Sequence, residues 1–152
     1  MKLSYLITSL LLFSQVLTSQ EKADYPLPNS KQLAWQKAEM GAVFHYDLHV
    51  FDGLKYAQNG VQGNRTNPVP DYQIFNPDKL DTDQWIKAAK DAGFKFAILT
   101  ATHETGFALY QSEVNPYCLR AVNWRDGKGD IVKDFVESCR KYGVEPGIYL
   151  GI

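Results

Sequence analysis

The chain lacks an excess of charge of either sign. Sixteen basic residues against 17 acidic ones leave a formal charge of −1 over 152 residues. That balance excludes the electrostatic footprint expected of a nucleic-acid-binding domain or of a surface for anionic lipid. Glycine and proline, at 11 and seven, are not in excess, which removes collagen-like and low-complexity classes. Cysteine is scarce: the chain has two, Cys118 and Cys139, and their spacing matches no zinc motif. An apolar run long enough to span a membrane is lacking as well. Leu3 to Phe13, interrupted by Ser4, Thr8 and Ser9, is about half of the ~20 residues a spanning helix needs. What remains, 45% apolar and 22% charged, is ordinary globular composition, with a generous 13% of aromatic residues.

The short apolar run has its own reading. Lys2 precedes it and the small polar pair Thr18-Ser19 follows, so residues 1–20 are expected to be a cleaved signal peptide, although Leu17 is not the small residue a cleavage site prefers. An uncleaved anchor is the alternative, and lipid attachment is disfavoured because no cysteine follows the run. The protein is therefore expected to be secreted or periplasmic, with no membrane partner after cleavage. In such a compartment Cys118 and Cys139 could pair. Two buried thiols are the competing expectation, since Cys139 falls on the apolar face of a predicted helix. Asn64-Arg65-Thr66 is a glycosylation sequon. Residues 21–40 read as a lead-in, with proline between Tyr25 and Ser30 and a short helix over Lys31 to Glu39 placed to cap the bottom of a sheet.

From there two periodicities alternate. Ala42-Val43-Phe44, Phe96 to Leu99 and Gly147 to Ile152 are short and apolar throughout, the pattern of parallel strands buried on both faces. Before the second strand, Asp81 and Gln84 read as a helix-capping pair. Trp85, Ile86, Ala89 and Ala92 are expected to form that helix's buried face, ended by Gly93. Before the third, Asp130 caps a helix whose stripe is Ile131, Phe135, Val136, Cys139 and Tyr142, ended by Gly143. Strand-helix alternation of this kind predicts an α/β fold with parallel strands and right-handed crossovers. Residues 46–80 show no sustained periodicity, and long loops of that sort usually carry function.

Ligand sites in such folds gather at the carboxyl ends of the strands. All three histidines, His45, His49 and His103, fall at that pole with Asp47, Thr102 and Glu104. The loop aromatics Tyr46, Phe51, Tyr56, Tyr72 and Phe75 lie there too. Their rings are equally suited to stacking on sugar faces or to packing the long loop.

These residues carry a resemblance over nearly all of residues 35–152. Gly41-Ala42-Val43-Phe44-His45-Tyr46, Phe75-Asn76-Pro77, Asp83-Gln84-Trp85, Ala89 to Gly93, Leu99-Thr100-Ala101 with His103, Gly106-Phe107-Ala108-Leu109, Trp124-Arg125-Asp126, Gly129-Asp130 and Gly147 to Leu150 occur in order. The series resembles the amino-terminal part of α-L-fucosidases of glycoside hydrolase family 29. The resemblance implies an incomplete (β/α)8 barrel comprising about the first three βα units, with residues 41–152 as the first part of the catalytic domain. It implies a retaining mechanism in which one carboxylate attacks the anomeric carbon and a second carboxyl group serves as acid and then base. Neither catalytic carboxylate is expected within residues 1–152, because the family's nucleophile lies at the end of a fourth strand. What the chain is expected to hold is part of the sugar-binding half: His45 and His103, with Glu104, Tyr56 and Lys55 as neighbours. The implied partner is a fucosylated oligosaccharide or glycoconjugate, with no cofactor and no metal.

The chain departs from the family pattern at several points. The family usually has two adjacent histidines before Asp-Gly-Phe, whereas here the run is Thr102-His103-Glu104-Thr105-Gly106-Phe107. Asp47 stands where glycine is common, and the family's glutamate-tryptophan pair corresponds to Lys55-Tyr56. An ionised glutamate accepts hydrogen bonds and cannot donate them, so a changed sugar or linkage is compatible with Glu104. Two other classes fit the same residues. One is a non-catalytic carbohydrate-binding protein. The other is a metal-dependent hydrolase built on His45, His49, His103 and Glu104, unless Asp47 and His49 face solvent. A complete (β/α)8 barrel takes about 250 residues, and a third strand left as an open edge is expected to favour aggregation of the chain alone.

Overall fold

The computed structural model describes residues 25–53 and 69–151. The expected signal peptide, the glycosylation sequon, Lys55 and Tyr56 lie outside the described residues. The chain divides into two compact units, Met1–Ala34 and Trp35–Ile152. In element order the described residues form α1 (Ser30–Ala38), β1 (Gly41–Phe44), α2 (Thr82–Asp91), β2 (Phe96–Thr102), α3 (Ile131–Tyr142) and β3 (Glu145–Leu150), with four 3₁₀ turns in the loops.

The three strands make one parallel sheet in the order β1-β2-β3. Ala42 pairs with Ala97 and Phe44 with Leu99, and Leu99 in turn pairs with Ile148, so the three carboxyl ends come out side by side. The α/β alternation read from the sequence is therefore present, and β3 begins two residues earlier than its apolar run. Glu145 opens β3 because its amide donates to Lys95 O at 3.0 Å, a backbone bond that hydrophobicity does not report.

Both core helices form for the reasons their sequences give. The Asp81 carboxylate accepts from Gln84 N at 3.0 Å at the start of α2, and Asp130 Oδ1 accepts from Lys133 N at 2.8 Å at the start of α3. Each satisfies a donor with no partner inside its own helix. Gly143 ends α3 in the left-handed region at φ 65°, where a Cβ is disfavoured. Ile86 and Ala89 of α2 and Ile131, Phe135 and Cys139 of α3 are buried. Ala92, expected on the buried face of α2, is instead the exposed C-cap residue. The two helices join through Ser138, whose hydroxyl lies 2.8 Å from that of Thr82 and donates to Asp83 at 2.7 Å.

The core lies between these helices and one face of the sheet. Phe44 stacks on Trp85 at 5.5 Å with planes 8° apart, and meets Phe135 edge-on at 6.0 Å. Pairs of this kind add about 0.5–1.5 kcal/mol each beyond the area they bury. Ala97, Leu99 and Ala101 are fully buried, but the strands are not covered on both faces as their composition suggested. On the other face Val43 is 54% exposed and Tyr149 51% exposed. The helix α1 has no buried residue among its described positions, although the Trp35 ring sits 6.4 Å from that of Phe96.

Candidate functional site

His45 follows the last residue of β1 and His103 the last residue of β2. Because those strands are neighbours in register, the two imidazoles meet: His45 Nδ1 and His103 Nε2 are 3.2 Å apart, across 58 residues of sequence. The rings meet edge-on, with centroids 4.8 Å apart and planes at 77°. The backbone around His45 is fixed by the buried Thr100 hydroxyl, which accepts from Tyr46 N at 3.1 Å and lies within donating distance of Phe44 O at 3.3 Å. Thr102, which the sequence placed at the same pole, serves the frame instead: its hydroxyl donates to Gly151 O at 2.9 Å and ties the ends of β2 and β3 together.

Asp47 and His49 do not face solvent; they are 8% and 6% exposed. Asp47 caps the 3₁₀ turn Leu48–Val50, its Oδ1 accepting from Leu48 N at 2.7 Å. The same carboxylate reaches the loop after β2. Thr105 Oγ1 donates to Oδ1 at 2.5 Å and Thr105 N donates to Oδ2 at 3.2 Å. The Thr105 oxygen in turn accepts from Phe107 N at 3.0 Å. Oδ2 lies 3.7 Å from His103 Nδ1, which puts a carboxylate behind the histidine pair. His49 Nδ1 is paired with Asp52 Oδ2 at 2.5 Å.

Together His45, Asp47, His49, Val50 and His103 line a cleft of about 200 Å³. Glu104 is exposed and does not line it. Among the described residues no group of three or more His, Cys, Asp or Glu side chains is placed to hold a metal ion. Asp47 and Thr105 are the residues that sequence reasoning undervalued. The signal available was that both stand where the chain departs from the family pattern.

The loop aromatics settle on packing. Phe75 is 1% exposed and meets Phe51 at 5.0 Å, Phe107 at 5.3 Å and Trp124 at 5.9 Å. Tyr46 sits edge-on to Trp85 at 5.4 Å, and Tyr72 edge-on to Tyr117 at 5.7 Å. Burial, helped by the Asp78 carboxylate, pushes the Tyr46 phenol up to about 12. Tyr56 lies outside the described residues. Cys118 and Cys139 are both buried and free, so they do not pair. Burial, with a smaller contribution from Glu145, pushes the Cys139 thiol up to about 11.

Fold and site thus define a parallel α/β protein with a histidine-lined cleft at the carboxyl pole of its sheet. A family model described as alpha-L-fucosidase matches residues 15–151. Alpha-L-fucosidase 1 of Arabidopsis thaliana is 37% identical over 125 residues, which is 82% of this chain and 23% of that protein. A crystal structure from Bacteroides thetaiotaomicron VPI-5482, of a protein provisionally called an alpha-L-fucosidase, shares 70% identity at a TM-score of 0.76. It covers 85% of this chain and 29% of that one. A glycoside hydrolase 29 family member from an unknown rumen bacterium shares 35% identity at a TM-score of 0.67, covering 82% and 21%. The chain belongs to the α-L-fucosidase family. It spans less than a third of the length of these relatives.

Proposed function

We propose that the protein containing this chain is an exported glycoside hydrolase that releases terminal α-L-fucosyl residues from glycans, and that this chain supplies part of its sugar-binding half. The observation that carries the reading is the pairing of His45 with His103 inside one cleft at the carboxyl pole. An imidazole held edge-on by a second one presents its remaining ring nitrogen to a sugar hydroxyl in a fixed direction, which is what holding a pyranose in one orientation requires. Family membership adds the sugar and the reaction class.

On this reading the three βα units belong to a (β/α)8 barrel, and the open sheet face with Val43 and Tyr149 is turned towards its interior. The hydrolysis is retaining, with two carboxyl groups about 5–5.5 Å apart supplied from outside this chain. His45 meets a sugar hydroxyl and His103 fixes its ring, while Glu104, Lys55 and Tyr56 are further candidate contacts. The substrate is a fucosylated oligosaccharide or glycoconjugate met outside the cytoplasm.

The test is an assay of the complete gene product on a panel of aryl glycosides. Turnover of the α-L-fucoside in preference to the other glycosides is expected. A folded protein that binds the sugar without hydrolysing any member of the panel would make it a carbohydrate-binding protein instead.

A further inference from the structure

The geometry points to Asp47 as a positioning residue that fixes which nitrogen of each site histidine carries its proton, so that His45 meets the ligand as a hydrogen-bond acceptor. The inference deepens the glycosidase reading by specifying what the bound sugar must offer at this point: a hydroxyl that donates.

Asp47, His103 and His45 form a chain of three groups. Asp47 is nearly buried, and its Oδ1 is held by Leu48 N and the Thr105 hydroxyl at 2.7 and 2.5 Å. Its Oδ2, 3.7 Å from His103 Nδ1, presents a carboxylate oxygen to that nitrogen. A neutral imidazole has one N–H, and a carboxylate oxygen 3.7 Å away, too far for a direct hydrogen bond, favours electrostatically the tautomer that carries it on the facing nitrogen. His103 therefore carries its proton on Nδ1, and its Nε2 is an acceptor. The contact of 3.2 Å between His103 Nε2 and His45 Nδ1 needs one donor, and His45 Nδ1 is then the one that supplies it. With its proton on Nδ1, His45 has a bare Nε2. That nitrogen has no partner among the described residues, and His45 lines the cleft.

The same logic predicts what an isosteric change does. In Asp47→Asn the amide oxygen is held at the Oδ1 position by the two short bonds from Leu48 N and Thr105 Oγ1. The amide nitrogen then takes the Oδ2 position, where it gives up the 3.2 Å bond from Thr105 N, and presents N–H to His103 Nδ1. Both tautomers reverse: His103 donates from Nε2, His45 accepts at Nδ1, and its Nε2 now carries a proton towards the cleft. Loss of one matched hydrogen bond to the sugar is expected to weaken L-fucose binding about tenfold.

The experiment is long-range ¹⁵N–¹H NMR of the ligand-free complete gene product labelled at histidine, above the imidazole titration, with His45→Gln and His103→Gln for assignment. Expected are Nδ1-protonated neutral tautomers at both His45 and His103, and reversal of both in Asp47→Asn. A proton on Nε2 of His103 in the unmodified protein overturns the inference, and that result does not depend on whether any variant folds. So does an Asp47→Asn protein with unchanged tautomers and an unchanged affinity for L-fucose. Because the tautomers are read without substrate, they stand or fall separately from the glycoside assay, which alone decides the hydrolase reading.

Discussion

Asp47 and Thr105, 58 residues apart in sequence, share a hydrogen bond of 2.5 Å beneath the histidine pair. This contact clamps the loop after β1 to the loop after β2, and each loop carries one of the two imidazoles. Thr105 is 4% exposed and serves both as donor to Asp47 and as acceptor for Phe107 N. Thr105→Val keeps the shape and removes the hydroxyl, leaving a buried carboxylate and a buried amide each short of a partner. A loss of about 2 kcal/mol is expected from such groups, measured by denaturant unfolding, with Thr105→Ser recovering most of it.

Gly129 is required by a close approach. A Cβ there would lie 2.2 Å from the Trp124 ring. The ring has little room to yield, because it packs against Phe75 on one side and carries the Arg125 guanidinium 4.3 Å from its centroid. Gly129→Ala is expected to cost about 1–3 kcal/mol, the usual scale for overpacking. A thermal melt monitored by near-ultraviolet circular dichroism would show it as a lowered midpoint and a changed tryptophan signal.

The cap of α3 also holds the loop before it. Asp130 accepts from Lys133 N with one oxygen and from Gln111 N, at 3.3 Å, with the other. Asp130→Ala should lower stability by about 1 kcal/mol, as for other N-caps. Hydrogen exchange should quicken at the first turn of α3 and leave α2 unchanged.

A buried thiol and a half-buried phenol lower stability at alkaline pH. The Cys139 thiol is raised from 9.0 to about 11 and the Tyr46 phenol from 10.0 to about 12, burial being the main cause of each. Over those ranges the unfolded chain has lost protons that the folded chain still holds, so stability falls as pH rises. The contribution of Cys139 is complete below pH 9 and is lost on the way to about 11; that of Tyr46 is complete below 10 and is lost on the way to about 12. Denaturant midpoints should decline across this window, and Cys139→Ala should flatten the lower part of the decline. At pH 8 the native protein should leave Cys139 unalkylated by iodoacetamide.

What could be read from the sequence was what depends on local pattern. The bounds of α3, from its Asp130 cap to Gly143, follow from a 3.6-residue stripe and two residues with distinct backbone roles. The placing of His45 and His103 at one pole follows from parallel strands that each end just before a histidine. Other features depend on partners far along the chain. Nothing near Asp47 indicates that it turns inward to meet Thr105, and Tyr46, Phe51, Tyr72 and Phe75 show no periodicity that separates packing from ligand stacking. The reciprocal bonds between Asn29 and Gln32 that begin α1, at 2.8 and 3.0 Å, are a local capping pattern of the same kind as the Asp130 cap. The open sheet face could not be foreseen from composition, since an apolar strand reads alike whether one face or both are covered.

The proposal that His45, held in place by His103, binds the sugar of an α-L-fucosidase is tested by comparing kcat/KM for an aryl α-L-fucoside between the complete gene product and its His103→Ala variant. A fall of about a hundredfold or more, with the fold intact by circular dichroism, is the predicted result for releasing the His45 imidazole from the partner that orients it towards the transition state. A His103→Ala protein with unchanged kcat/KM would contradict the account.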